Sequence, residues 1–343
     1  MKIGVIGLGK MGRSHAAHLR KMALVSDLLG CDLMEGARAA AEAEGVRTVS
    51  TVDALLAWKP DAVFVITPAA THTDAIEPCL RAGIPVLTEK PLATDIKDCR
   101  RLVALAERNR VPFQVGFELR YCGLTQGMRN IVKSGLVGKP LSMSLVQISG
   151  PGKMTREVNG GIFWEKLCHE VDLFRYWFGE PDRVMAIASP NALKQYTVSD
   201  NVLSCLSFPN GRLGKITFFT TRAAQVGGTD DHGDRGHFYE ITLTCTKGSL
   251  TYCAWTDLLS VVRFNHRPDY QSELVEQIPV RKTFGEPMYA LTEQNGDFLT
   301  RVKAGRKLQF PAADALQSME WVNRAEQSLL AGGKWLRASR RGA

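Results

Sequence analysis

The chain has 343 residues, 45% of them apolar and 23% charged, with a formal net charge of +8, a length that suits two domains each able to bury its own core. It contains no low-complexity tract, and no apolar run approaches the ~20 residues that a bilayer-spanning helix needs, so a membrane role is not expected. The positive excess is dispersed except for Lys334, Arg337, Arg340 and Arg341 at the C-terminus, which argues against a dedicated nucleic-acid surface.

The first 32 residues carry the strongest signal. Lys2–Leu8 is a short apolar run rich in β-branched residues, suited to a buried parallel strand. A strand this close to the N-terminus leaves no room for a signal peptide, so a cytoplasmic location is expected. The strand leads into Gly7-Leu8-Gly9-Lys10-Met11-Gly12, a G-x-G-x-x-G, followed by a helical pattern over Ser14–Met22. A second apolar run, Leu24–Cys31, ends in Asp32, twenty residues past Gly12. Gly7 permits the tight turn, Gly9 lets backbone approach a pyrophosphate, and Gly12 lets the helix pack on the strand. The helix N-terminus turns its free N–H groups toward the phosphates. Asp32 accepts hydrogen bonds from an adenosine ribose, and the residues after it, Leu33 and Met34, offer no cation for a 2′-phosphate. The strand, turn, helix and acid together predict NAD as cofactor.

Further along, Asp61–Thr67, Ile84–Thr88 and Phe113–Phe117 read as strands, and Gly36–Glu44, Val52–Trp58, Thr71–Ala82 and Asp95–Asn109 as helices. This alternation predicts an α/β fold, a doubly wound parallel sheet with right-handed crossovers. Ligands in that architecture bind beyond the carboxyl ends of the strands. Gly7–Gly12, Thr67–His72 and Glu89-Lys90-Pro91 sit at such ends.

After residue 120 the pattern changes. Tyr121–Ser134 reads as a helix and Lys139–Ser149 as a strand. Gly160-Gly161 opens a helix running to about Phe178, stopped by Gly179 and Pro181. From Arg183 to about Pro279 the chain is strand-like, with Val202–Phe208, Arg212–Thr220, Phe238–Cys245 and Ser249–Trp255 spaced as an antiparallel meander. Helices are expected over Pro287–Val302 and Ala312–Leu330. The division expected is therefore 1–120, an NAD-binding domain, and 121–343, an α+β domain for substrate binding and oligomerisation. Its large, mostly antiparallel open sheet has more face than two helices cover, which predicts a homodimer or homotetramer.

The eight cysteines, at 31, 79, 99, 122, 168, 205, 245 and 253, form no C-x-x-C and lie in apolar segments. Reduced thiols and no metal site are expected. The polar stretch Asp230–His237 has metal-ligating residue types but no recognised ligand spacing, and reads as a surface loop.

Several stretches together resemble the glucose–fructose oxidoreductase / inositol dehydrogenase / rhizopine-catabolism family, Gfo/Idh/MocA. They are G-L-G-K-M-G-R-S-H at Gly7–His15, T-P-x-x-x-H at Thr67–His72 and A-G-I-P-V-L-T-E-K-P-L-A at Ala82–Ala93. The others are G-F-x-x-R at Gly116–Arg120 and G-G-I-F-W-E-K-L-C-H-E-V-D at Gly160–Asp172. The resemblance implies NAD(P)-dependent oxidation or reduction of sugars, polyols or related compounds. It implies that Lys90 is catalytic, that the Lys90–Pro91 bond is cis, and that Thr67, Pro68, His72, Glu89 and Pro91 line the cofactor together with the fingerprint residues.

The family's D-x-x-x-H corresponds here to Glu165 and His169. Four residues apart on a helix, they share a face, so His169 can act as general base while Glu165 orients it. The glutamate is a departure from the usual aspartate, and its extra methylene shifts the carboxylate. Arg120, Lys153, Arg156, Trp164 and His169 are the substrate-binding candidates, and Asp172 is expected to be structural. A transient oxidation by tightly bound NAD that ends in elimination, and a non-catalytic nucleotide-sensing regulator, are the competing functions; the regulator is disfavoured by the presence of both Lys90 and His169.

Overall fold

The structure is a computed structural model, and it describes residues 1–149, 159–191, 199–220, 238–264, 272–286 and 289–338. The chain divides into two compact units. The first is built chiefly from Met1–Glu118 together with Ala290–Glu320, and the second holds most of the remainder. This departs from a single cut after residue 120, because a later segment returns to the first unit.

The first unit is a six-stranded parallel sheet. Its strands are β1 (Lys2–Ile6), β2 (Asp27–Cys31), β3 (Arg47–Val49), β4 (Ala62–Val65), β5 (Val86–Glu89) and β6 (Phe113–Gly116), in the order β3-β2-β1-β4-β5-β6. The helices between them are α1 (Lys10–Arg20), α2 (Glu35–Ala43), α3 (Val52–Ala57), α4 (His72–Arg81) and α5 (Ile96–Asn109). This is the doubly wound parallel sheet expected from the alternation. The central strands β1, β4 and β5 are buried along almost their whole length, as a sheet covered on both faces requires. Strand β3 escapes sequence reading because it is a three-residue edge strand with a polar start. It is tied to β2 by an ion pair of Arg47 with Asp27 at 2.6 Å. Helix α1 begins four residues earlier than its apolar pattern suggests, since the glycine-rich turn itself forms its first turn.

The returning segment contains α9 (Leu291–Lys303) and the start of α10 (Ala312–Leu330). Phe298 and Leu299 of α9 are fully buried in one core with Ile3, Val5, Leu19, Phe64 and Leu87. Phe64 and Phe298 meet edge to face, with ring centroids 5.7 Å apart. The amphipathic pattern of 287–302 shows a helix but not its partner, which is why the sequence assigns it to the neighbouring domain.

The second unit contains α6 (Gly123–Lys133), α7 (Cys168–Phe178), α8 (Val280–Phe284) and a nine-stranded sheet among the described residues. Its strands are β7 (Pro140–Ser149), β8 (Arg183–Ala188), β9 (Asn201–Ser207), β10 (Leu213–Thr220), β11 (Phe238–Cys245), β12 (Gly248–Cys253), β13 (Leu258–Phe264), β14 (Ser272–Pro279) and β15 (Leu336–Arg337). The order is β14-β13-β12-β11-β7-β10-β9-β8-β15. Instead of one continuous meander, two antiparallel meanders flank β7, which pairs parallel to β10 and antiparallel to β11. Gly214 on β10 has no side chain because the Phe174 ring of α7 presses there; a Cβ would lie 2.3 Å from it. The other face is thinly covered: Leu213 and Phe219 on β10 are 52% and 37% exposed.

Truncating the returning helix's anchor tests the unit assignment. Phe298→Ala should lower stability by about 3–5 kcal/mol, the usual cost of emptying a buried phenylalanine site, read as a shifted urea midpoint. A shift near zero would mean that α9 does not complete this core.

Candidate functional site

Strand register lines up the candidate residues of the first unit. Cys31, Ile6, Val65, Thr88 and Val115 are neighbours in one row across β2, β1, β4, β5 and β6. The residues just beyond that row are Asp32, Gly7, Ile66–Thr67, Glu89–Lys90 and Gly116, all on one carboxyl edge.

Gly7 adopts φ +93°, open to glycine at little cost, and a Cβ on Gly12 would sit 1.8 Å from the Gly7 carbonyl oxygen. The two glycines thus allow α1 to start directly against the turn. A Cβ on Gly9 would meet no protein atom within 4 Å, and no side chain caps the α1 N-terminus. Open space beside uncapped N–H groups fits a pyrophosphate. Lys10 is exposed in the first turn of α1, whereas Met11 packs against the apolar core.

Asp32 stands at the end of β2 with its carboxylate fixed by backbone. The Leu8 N–H donates to Oδ2 at 2.7 Å and the Met34 N–H to Oδ1 at 2.8 Å. Each oxygen retains acceptor capacity, so the group fits a ribose diol. Sequence reading saw no cation near Asp32. The structure brings one: Arg38, one turn into α2, donates from Nη1 to the carbonyl oxygens of Asp32 and Leu33, both at 2.9 Å.

His72 ties two of the loops together. Its Nδ1 is 2.8 Å from the Pro91 carbonyl and its Nε2 2.9 Å from the Thr67 carbonyl. Burial pushes its imidazole below the ordinary value, against the opposing pull of those carbonyls. Pro68 is exposed beside Thr67, whose Oγ1 is buried without a hydrogen-bond partner. The Lys90–Pro91 peptide is cis.

Glu89 is a buried carboxylate, not half of a solvated pair. His15 Nε2 approaches its Oε1 at 3.1 Å, and the Lys90 N–H donates to Oε2 at 3.2 Å. The other face of His15 is fixed by Asn295 of α9, whose Nδ2 lies 3.1 Å from Nδ1. Because an amide nitrogen only donates, Nδ1 accepts and Nε2–H donates to Glu89. Burial pushes the Glu89 carboxyl up, but the His15 hydrogen bond and the Lys90 charge outweigh it and hold the group below its usual range. Gly116, opposite Glu89 in register, leaves room for that carboxylate; a Cβ there would be 3.1 Å from Oε1.

Glu118, just past β6, is a functional-site feature that sequence reading missed. Burial, then repulsion from Glu89, pushes its carboxyl up to about 8 against the pull of Lys90. The Lys90 cation therefore has one ionised and one protonated carboxyl near it at neutral pH. A lone glutamate inside G-F-x-x-R carries no sequence signal for this; only the approach of β5 to β6 creates it.

In the second unit, the candidates separate. Arg120, expected at substrate, forms a bidentate pair with Asp172: Nε and Nη2 reach the two carboxylate oxygens at 2.6 Å each, with the side chains 5% and 1% exposed. Its guanidinium also lies over the Tyr176 ring. The pair gives Asp172 a buried partner within the second unit and commits one edge of Arg120 to the fold. Trp164, also expected at substrate, is 1% exposed and donates from Nε1 to Glu326 at 3.2 Å. It is a core residue, because burial leaves its ring no open face. Glu165 lies in a π-helical turn, Phe163–Leu167, that precedes α7, and His169 lies in the first turn of α7. Both remain half-buried. The continuous α-helix expected from Gly160-Gly161 is thus interrupted, in a form often found at functional sites. Lys153, Arg156 and Asp230–His237 lie outside the described residues. Among the described residues no cluster of metal-ligating side chains occurs, and no helix is long and apolar enough to cross a membrane.

Comparison with known proteins matches residues 1–117 to the GFO/IDH/MocA model of an oxidoreductase family with an NAD-binding Rossmann fold, and residues 125–251 to the GFO/IDH/MocA C-terminal domain. The chain is 28% identical over 191 residues to the rhizopine catabolism protein MocA of Rhizobium meliloti, a match covering 55% of this chain and 60% of that one. It is 30% identical over 247 residues to inositol 2-dehydrogenase 2 of Mycolicibacterium vanbaalenii, covering 69% and 71%. Among solved structures, levoglucosan dehydrogenase in complex with NADH and levoglucosan superposes with a TM-score of 0.80 over 99% of this chain and 100% of that one, at 18% identity. That last likeness is one of fold.

The protonated Glu118 has a thermodynamic consequence. Between the ordinary carboxylate range and about 8, the folded protein holds a proton that the unfolded chain has released. The stability tied to that proton is complete at low pH and is lost as pH rises through about 8. Glu118→Gln should therefore melt close to wild type at about pH 5 and above it at about pH 8–9. A melting-temperature difference that stays constant with pH would contradict the assignment.

Proposed function

The chain belongs to the GFO/IDH/MocA oxidoreductase family, and from that premise we propose that it transfers hydride between a secondary hydroxyl of a sugar, cyclitol or related polyol and NAD. The observation that carries this reading is the shared carboxyl edge of the first unit, where the open Gly9 turn, the anchored Asp32 carboxylate and Lys90 stand together. The inositol 2-dehydrogenase relative supports the polyol class.

Asp32 holds the adenosine ribose, and the uncapped N-terminus of α1 with Gly9 holds the pyrophosphate. The bound nicotinamide supplies the hydride acceptor. Lys90 donates a hydrogen bond to the reacting oxygen and stabilises its developing charge. His169 takes the hydroxyl proton as general base, with Glu165 in the orienting role. Lys153 and Arg156 remain candidates for substrate oxygens. The open face carrying Leu213 and Phe219 supports a homodimer or homotetramer built on the second sheet. None of the eight cysteines is in a disulfide.

The substrate class is tested by melting the protein with NAD and a panel of sugars, cyclitols and uronates, because a ligand bound only to the folded state raises the midpoint. Turnover of the stabilising compound with NADH formation is expected. On that substrate His169→Ala should lower kcat by about 10²–10⁴-fold, the usual value of a general base, and Lys90→Met at least as much. Neither should change NADH affinity appreciably, since both contacts strengthen in the transition state. Retention of more than about a tenth of kcat by His169→Ala would refute the base assignment. Light scattering at micromolar concentration should give a dimer or tetramer mass; a monomer would refute the sheet-face assembly.

A further inference from the structure

The adenosine end of the site contains more than the acid that selects a ribose. The Asp32 carboxylate is itself an anion seated in a small cradle. Two backbone N–H groups donate to it, one from Leu8 and one from Met34, at 2.7 and 2.8 Å. The half-buried Arg38 side chain folds back from α2 over the same turn, and its Nη1 is anchored on the Asp32 and Leu33 carbonyl oxygens at 2.9 Å. Among the described residues no carboxylate pairs with Arg38, so its charge is not neutralised by an ion pair. The fork geometry of a guanidinium leaves Nε and Nη2 as further donors once Nη1 is committed. Leu33 and Met34 beside it are 83% and 70% exposed, so the turn is open among the described residues.

We propose that Arg38 is a specificity-determining residue for the cofactor, a resident cation for an adenosine 2′-phosphate that the Asp32 carboxylate keeps out. This rests on the reading of the first unit as the NAD site. In the native chain the carboxylate occupies both backbone donors and repels a phosphate, so NAD is preferred. With the carboxylate removed, the N–H groups of Leu8 and Met34 and the free edge of Arg38 form a donor set for a phosphate, and charge-assisted hydrogen bonds of this kind are the strong ones. Selectivity is then divided between two residues: Asp32 rejects the phosphate, and Arg38 limits how strongly it is rejected. One consequence holds in the native background, where removing Arg38 should widen the preference for NAD.

The test is binding, measured by fluorescence titration of NADH and NADPH, which needs neither substrate nor turnover. Wild type should bind NADH at least about tenfold more tightly than NADPH, a difference of ~1.4 kcal/mol. Arg38→Ala should weaken NADPH by about fivefold and leave NADH within about twofold, because a phosphate contact is worth one charge-assisted bond. Asp32→Ala should tighten NADPH by about tenfold, and Asp32→Ala/Arg38→Ala should lose that gain, while Asp32→Ala/Arg38→Lys should keep part of it through charge alone. Circular dichroism melts show whether each variant is folded. Equal NADPH affinity in Asp32→Ala and the double alanine variant, both folded, would overturn the role of Arg38 with the NAD site intact. Failure of wild type to bind NADH at all would overturn the cofactor reading and this inference with it.

Discussion

A buried carboxylate governs how the first unit is assembled. Glu89 is 8% exposed at the end of β5, and an ionised group taken out of water is tolerated only with donors around it. The two donors come from different parts of the chain, His15 from α1 and the Lys90 N–H from the next residue, and a bare glycine on β6 makes the space. His15 in turn is fixed by Asn295, 280 positions along the chain. The same helix that delivers Asn295 delivers Phe298 to the apolar core. The polar chain orients α9 and the apolar contact holds it, so the residue preceding Lys90 is positioned by a segment that sequence reading places in the other half.

What was legible in the sequence was what local rules encode. Parallel strands read as short apolar runs, glycine turns read from spacing, and α10 read to its exact ends as Ala312–Leu330, because each follows from backbone geometry and periodicity. The rest depended on partners far away in the chain. Strand β3 is too short for periodicity to register. The π-helical turn at Phe163–Leu167 differs from an α-helix by a hydrogen-bond shift that composition does not mark. Arg38 lies six residues past Asp32, beyond the adjacent positions where a cation for a 2′-phosphate is sought, yet a long side chain folding back over the first turn of α2 reaches the same carbonyls.

The candidate site shows a parallel division. Motif membership marked positions where the residue type matters, but not whether it matters for chemistry or for the fold. Arg120 and Trp164 belong to two of the most recognisable stretches. The first is held by Asp172, and the second is buried with its indole N–H on Glu326. A buried ion pair is costly to break because either partner left alone is an uncompensated charge, which is reason enough for both residues to be there without any substrate. Glu165 and His169, by contrast, are half-buried, the first on the π-helical turn and the second in the first turn of the helix that follows it, so neither is wholly committed to packing.

The environment of Lys90 also bears on the kind of group it can serve. Glu89, held below its usual range, balances the lysine charge, while Glu118, pushed up to about 8, remains protonated at neutral pH. Two ionised carboxylates beside one cation would carry a net negative charge and repel the electron-rich oxygen that forms when a hydroxyl loses its proton. With one of them neutral, the cluster is balanced, and a lysine in the proposed role would respond to charge that develops only during reaction. An uncharged hydroxyl needs no counter-ion on arrival and gains a donor as it becomes alkoxide, which is the condition under which a fixed cation favours the transition state over the bound substrate.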